Sequence, residues 1–222
     1  VIEMKLLRKL RDPVSGLTHL GGALLAVAGL VLLLVESASP AKPWHLVTFS
    51  VFGATAIGLY VASTCYHLIP YGEKRTARLR KWDHIMIFFL IAGTYTPICL
   101  IPLRGPWGWS LFGVVWGLAV AGLVLKLFWM QAPRWLSTGT YVLMGWLVLV
   151  GVYPLVRAMQ PGALAWLLAG GLFYTAGGVI YALKRPNPWP ARFGFHEIFH
   201  ILVMLGTFSH FWVMYRYVTR MG

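Results

Sequence analysis

The chain has 222 residues, 59% of them hydrophobic and only 11% charged, where soluble domains carry roughly 25% charged residues. That balance excludes an ordinary soluble enzyme and points to a protein that crosses a membrane several times. The formal net charge of +13 does not imply nucleic-acid binding, because the basic residues follow a topological pattern along the chain.

Residues 1–12, opening "VIEMKLLRKLR", read as a short basic amphipathic segment lying along the membrane surface. The first apolar run, Leu17–Val35, opens with Thr18 and His19 and is too long for the core of a cleaved signal peptide. The second, Trp44–Leu68, carries Ser63 and His67 in its last turns. The third, Asp83–Leu103, begins with Asp83 and His84 and contains Pro97. A proline there either bends the helix and opens a lateral path or only shapes packing. The runs Trp107–Leu127, Leu136–Val156 and Ala163–Leu183 are almost uniformly apolar. The seventh, Phe195–Tyr215, starts with "FHEIFH". Each run is near the about 20 residues a helix needs to cross a bilayer. The expected fold is all-α: one domain over residues 1–222, an integral membrane bundle of seven transmembrane helices.

With the N-terminus cytoplasmic, fourteen of the 19 Lys and Arg fall on the inner side. The positive-inside rule therefore predicts an inner N-terminus and an outer C-terminus. Cys65 and Cys99 fall at opposite ends of their spans and read as buried thiols without a disulfide. This topology puts Ser63, His67, Asp83, His84, Thr18, His19, His196, Glu197 and His200 in one layer near the cytoplasmic face. An ionisable group inside a span costs roughly 2.5–3.5 kcal/mol on insertion scales, so such a layer calls for a reason.

Helical spacing supplies one. Ser63 and His67 stand four residues apart, as do His196 and His200, so each pair shares a helix face. If those faces meet Asp83, three imidazoles can surround a zinc ion and leave its fourth position open, as in catalytic zinc sites. Asp83 would offset the ion's charge in a medium of low dielectric. His19 lies at the same depth and competes as a ligand, while Thr18 and His84 are placed around the site. His210 lies roughly 21 Å along the helix from His196 and is too far to share the ion. The letters H-E-x-x-H also match a zinc-protease signature with Glu197 as base. Glu197, however, points about 100° from the ligand face, and no Asp-Gly segment provides a third protease ligand.

The segments "STCYH" (63–67), "KWDHIMIFFLIAGTYTP" (81–97) and "HEIFHILVMLGTFSHF" (196–211), with "PVSGLTHLGGALLA" (13–26), resemble the hemolysin III family. That family is the bacterial branch of the progestin and adipoQ receptor (PAQR) family. The resemblance implies seven helices, and zinc on His67, His196 and His200, with Asp83 holding the water on the metal and Ser63 nearby. It also implies that the residue at Glu197 need not be acidic. Three functional readings follow, all in a bacterial inner membrane. The first is a zinc-dependent hydrolase of lipid amide or ester bonds, similar to the alkaline ceramidases, with a ceramide-like or acyl-lipid substrate and a link to membrane-lipid homeostasis. The second is a non-catalytic bundle stapled by zinc that senses membrane state. The third is a cytolytic pore, which the apolar middle spans disfavour. None of these readings fixes an oligomeric state.

Overall fold

The computed structural model describes residues 11–70, 72–190 and 193–221. The expected surface segment at residues 1–12 falls outside them except for Arg11 and Asp12. The described residues form seven helices long and apolar enough to cross a membrane: α1 (Pro13–Ala38), α2 (Pro43–Leu68), α3 (Glu73–Leu100), α4 (Pro106–Phe128), α5 (Arg134–Ala158), α6 (Pro161–Leu183) and α7 (Phe195–Arg216). Four of them begin with proline at the first helical position: Pro13, Pro43, Pro106 and Pro161. There the missing N–H costs nothing and the fixed φ suits the helix.

The seven apolar runs each fall on one helix, with two informative differences. Helix α3 starts ten residues before the apolar run does, at Glu73, because "EKRTARLRKW" continues the helix in exposed, charged turns. Asp83 therefore lies in the third turn of α3 instead of at its start. Helix α5 is interrupted by a 3-10 segment at Leu147–Gly151, ahead of Pro154, which has no N–H to offer Val150. Tyr95 of α3 repairs the break. Its hydroxyl accepts from Val148 N at 2.8 Å and donates to the Gly145 carbonyl at 2.6 Å. In a bilayer a freed backbone group has no water to turn to, so a side chain must answer it.

The helices form a ring in chain order, closed by α1 against α7, with α3 turned inward against α2, α4, α5 and α7. Burial singles α3 out: 72% of its most apolar window is enclosed, against 17–44% for the other spans. Large apolar side chains elsewhere point outward, among them Leu25, Phe128 and Leu143, as lipid-facing surfaces require. Pro97 is fully buried in the last turn of α3, leaving only three residues beyond it for a bend to move. Cys65 is half-buried and Cys99 buried, and both are free.

Backbone approaches backbone closely between the end of α3 and the start of α4. A Cβ on Gly108 would collide with the carbonyl oxygens of Cys99 and Leu103, backbone atoms that cannot step aside. Gly113, one and a half turns on, faces open space. Gly108→Ala should therefore cost about 1–3 kcal/mol and lower the thermal midpoint of the detergent-purified protein by several degrees. Gly113→Ala, measured beside it, should leave the midpoint unchanged.

Candidate metal centre

His67 sits in the last turn of α2, and His196 and His200 lie on one face in the first turns of α7. Packing α2 beside α7 brings their rings together: centroids are 4.9 Å apart for His67 and His196, 5.0 Å for His67 and His200, and 4.5 Å for His196 and His200. One nitrogen from each of the three lies within 4.8 Å of the others. All seven histidines are described, and this is the set of three that converges so closely.

The outer nitrogens decide what the inner ones can do. His67 Nδ1 lies 3.2 Å from Asp12 Oδ2, and His200 Nδ1 lies 3.2 Å from the Ser15 carbonyl oxygen. Ionised carboxylates and carbonyls only accept, so in both rings Nδ1 carries the proton and donates. A neutral ring then presents a lone pair at Nε2, which faces the centre. His67 Nε2 and His196 Nε2 are 3.2 Å apart. Two lone pairs at that distance repel, so a proton or a cation must lie between them. Zinc–nitrogen bonds of about 2.0–2.1 Å at tetrahedral angles put ligand nitrogens about 3.3 Å apart, close to this separation. The three histidines thus fit a metal ion such as Zn2+, and the outer hydrogen bonds of His67 and His200 are those that orient metal-binding imidazoles.

The residues expected around the centre take distinct places. His19 is buried and stacks on His200, with centroids 3.7 Å apart and planes 10° from parallel. Neither of its ring nitrogens has a hydrogen-bond partner, and it stands outside the converging set. Thr18 spends its hydroxyl on the Val14 and Ser15 carbonyls of its own helix. Ser63 is fully buried, and its hydroxyl has no hydrogen bond of good geometry; the carboxyl it faces is Asp83. Asp83 is also outside the converging set but lines the same cavity as the three histidines. His84 donates to its own helix at the Arg80 carbonyl and lies 3.7 Å from Asp83. Glu197 has both oxygens engaged: one accepts from Gly194 N at 2.8 Å and caps α7, the other from Ser15 Oγ at 2.7 Å. That arrangement gives Glu197 a job in helix capping and docking.

Two contributors escape a reading by spacing. Asp12 precedes α1 and resembles an N-cap, yet it makes no cap bond; its carboxylate goes to His67 and its N–H to the His67 carbonyl. Ser15 joins α7 twice, through its carbonyl to His200 and its hydroxyl to Glu197. The available signal for Asp12 is scarcity. Only six acidic residues occur in the chain, and it is one of the few beside an apolar run.

The chain is similar to known proteins over most of its length. A family model described as Haemolysin-III related matches residues 7–211. A Hemolysin-3 homolog of Bacillus subtilis (strain 168) is 35% identical over 206 residues, covering 93% of each chain. Hemolysin-3 of Bacillus cereus is 35% identical over 206 residues, covering 92% of this chain and 90% of its own. An Adiponectin receptor protein of Drosophila melanogaster is 29% identical over 228 residues, covering 87% of this chain and 48% of its own.

Asp12→Asn keeps the shape of the side chain but removes the charge that holds His67. Zinc affinity, measured by competition with a chromogenic chelator, should fall about 10–100-fold. Glu197→Gln keeps an oxygen to accept from Gly194 N and places its amide NH2 where the Ser15 hydroxyl can accept, so zinc affinity should change far less.

Proposed function

The chain belongs to the haemolysin-III related family, and from that premise we propose that it is a zinc-dependent hydrolase of lipid amide or ester bonds, serving membrane-lipid homeostasis from the cytoplasmic side of a bacterial inner membrane. One observation carries this reading: the three histidines and Asp83 line a single cavity of about 530 Å3 that extends into the apolar middle of the bundle. A second, apolar cavity of about 250 Å3 shares Thr94, Tyr95, Trp146 and Gly171 with the first and continues between Leu155, Leu164 and Leu168. Ligand sites are concave, mostly apolar, and carry a few polar groups at one end. An acyl chain in the apolar part would bring its amide or ester bond near the histidines.

His67, His196 and His200 would hold the ion. Bound there, Zn2+ would supply Lewis acidity, polarising a carbonyl and making water more acidic. The chain's own groups do the rest. Asp83 accepts the proton of the attacking water and returns it to the leaving amine or alcohol. Ser63 has a hydroxyl free to hold that water or to donate to the developing oxyanion. His19 walls the centre with its ring against His200 and limits access of bulk water from that side.

A second reading has an observation of its own. Asp12 ties the start of α1 to α2 at His67, and Ser15 ties it to α7 at His200 and Glu197. A zinc ion there would staple α2 to α7, and a protein without turnover would still gain rigidity from it. Asp83→Asn separates the two readings. The hydrolase reading predicts zinc content like that of the wild type while fatty-acid release from a ceramide and acyl-lipid panel falls at least a hundredfold. A wild-type preparation that is replete with zinc and releases no fatty acid from any of those lipids would favour the staple.

A further inference from the structure

Lys126 lies in the last turns of α4, at the same end of the bundle as the histidines, and is only 1% exposed. Its ammonium donates to Ser137 Oγ of α5 at 2.6 Å. No acid answers it: the ion pairs among the described residues join Arg11 to Asp12, His67 to Asp12 and His84 to Asp83. A lysine that only marks topology keeps its charge in water, as the exposed Lys74 and Lys184 do. A buried ammonium with a single neutral partner is costly in a low-dielectric interior and calls for an anion.

A second orphan stands beside it. Thr138 is 6% exposed, and its hydroxyl has no hydrogen-bond partner. Lys126, Ser137 and Thr138 all line the cavity that holds the histidines, and the exposed Arg80 reaches the same cavity from α3. Arg134, also on its wall, is already engaged by the Tyr181 carbonyl at 3.3 Å and by the Tyr181 ring, 4.6 Å from its guanidinium. Asp83 shares the cavity but makes no ion pair with Lys126.

We propose that Lys126, Ser137 and Thr138, with Arg80 at the rim, form a phosphate-binding site, so that the lipid entering the cavity is a phosphate-bearing, anionic one. An ammonium, two hydroxyls and a guanidinium are all donors to the acceptor oxygens of one phosphate. The inference rests on the reading of this cavity as a lipid site and names the headgroup that site selects. The same chemistry would take inorganic phosphate.

The test uses the full chain in uncharged detergent micelles and ether-linked dialkyl lipids, which carry no ester to hydrolyse. Thermal midpoints are titrated with dialkyl phosphatidate, with dialkyl phosphatidylcholine and with inorganic phosphate. Phosphatidate should raise the midpoint saturably and at much lower concentration than phosphatidylcholine. Lys126→Met should weaken its apparent affinity at least tenfold and Thr138→Val several-fold, with zinc content unchanged in both. Saturable stabilisation by inorganic phosphate alone, lost in both variants, would support the site and identify free phosphate as its occupant. Wild-type phosphatidate affinity in the variants would overturn the phosphate site and leave the lipid cavity standing. Equal stabilisation by the two lipids, both of which carry a phosphate, would overturn the selection of an anionic lipid. No stabilisation by any lipid or by phosphate would overturn the site and the lipid reading together.

Discussion

An imidazole whose outer nitrogen donates to a fixed acceptor has only its inner nitrogen, with a lone pair, to offer. That constraint organises one end of this bundle. Asp12 sets the His67 ring and the Ser15 carbonyl sets the His200 ring, and both acceptors come from the start of α1. The segment that precedes and opens α1 therefore aims the histidines of α2 and α7. Glu197 completes the arrangement by pinning Ser15 while capping α7. These contacts use two of the six acidic residues in the chain, in a protein where each buried polar group has to be answered by another.

Much of this was legible in the sequence, and the reasons are physical. Long apolar runs and proline at helix starts mark seven spans with little ambiguity, because lipid leaves only the helix as a way to satisfy the backbone. His196 and His200 stand four residues apart and His67 lies at the same depth, which brings the three together on paper, and in the structure their nitrogens converge. Other features depend on contacts between helices that no local pattern encodes. Asp12 looks like an N-cap until α2 is laid beside it. The 3-10 break in α5 is visible in Pro154, but its repair by Tyr95 requires knowing that α3 faces that break. Helix α3 begins before the apolar run that announces it, because a charged stretch extends the helix at its N-terminal end. Lys126 reads in the sequence as one more topological charge, and only its burial separates it from the rest.

Taken together, the cavity has a polar end and an apolar end, and the polar end carries two chemically different groups. The converging histidines and Asp83 lie toward α2, α3 and α7, while Lys126, Ser137 and Thr138 lie toward α4 and α5. The hydrolytic reading needs the first group. The proposed phosphate-bearing lipid needs the second. The inward position of α3 explains why Asp83, Arg80, Thr94 and Tyr95 all meet the same space.

The proposed function rests on His67, His196 and His200 holding a metal ion. Metal analysis of the purified protein beside His67→Ala and His196→Ala tests that most directly. The account predicts close to one zinc ion per wild-type chain and loss of most of it in both variants, with each variant still folded by circular dichroism. Zinc content unchanged in the two variants would contradict it.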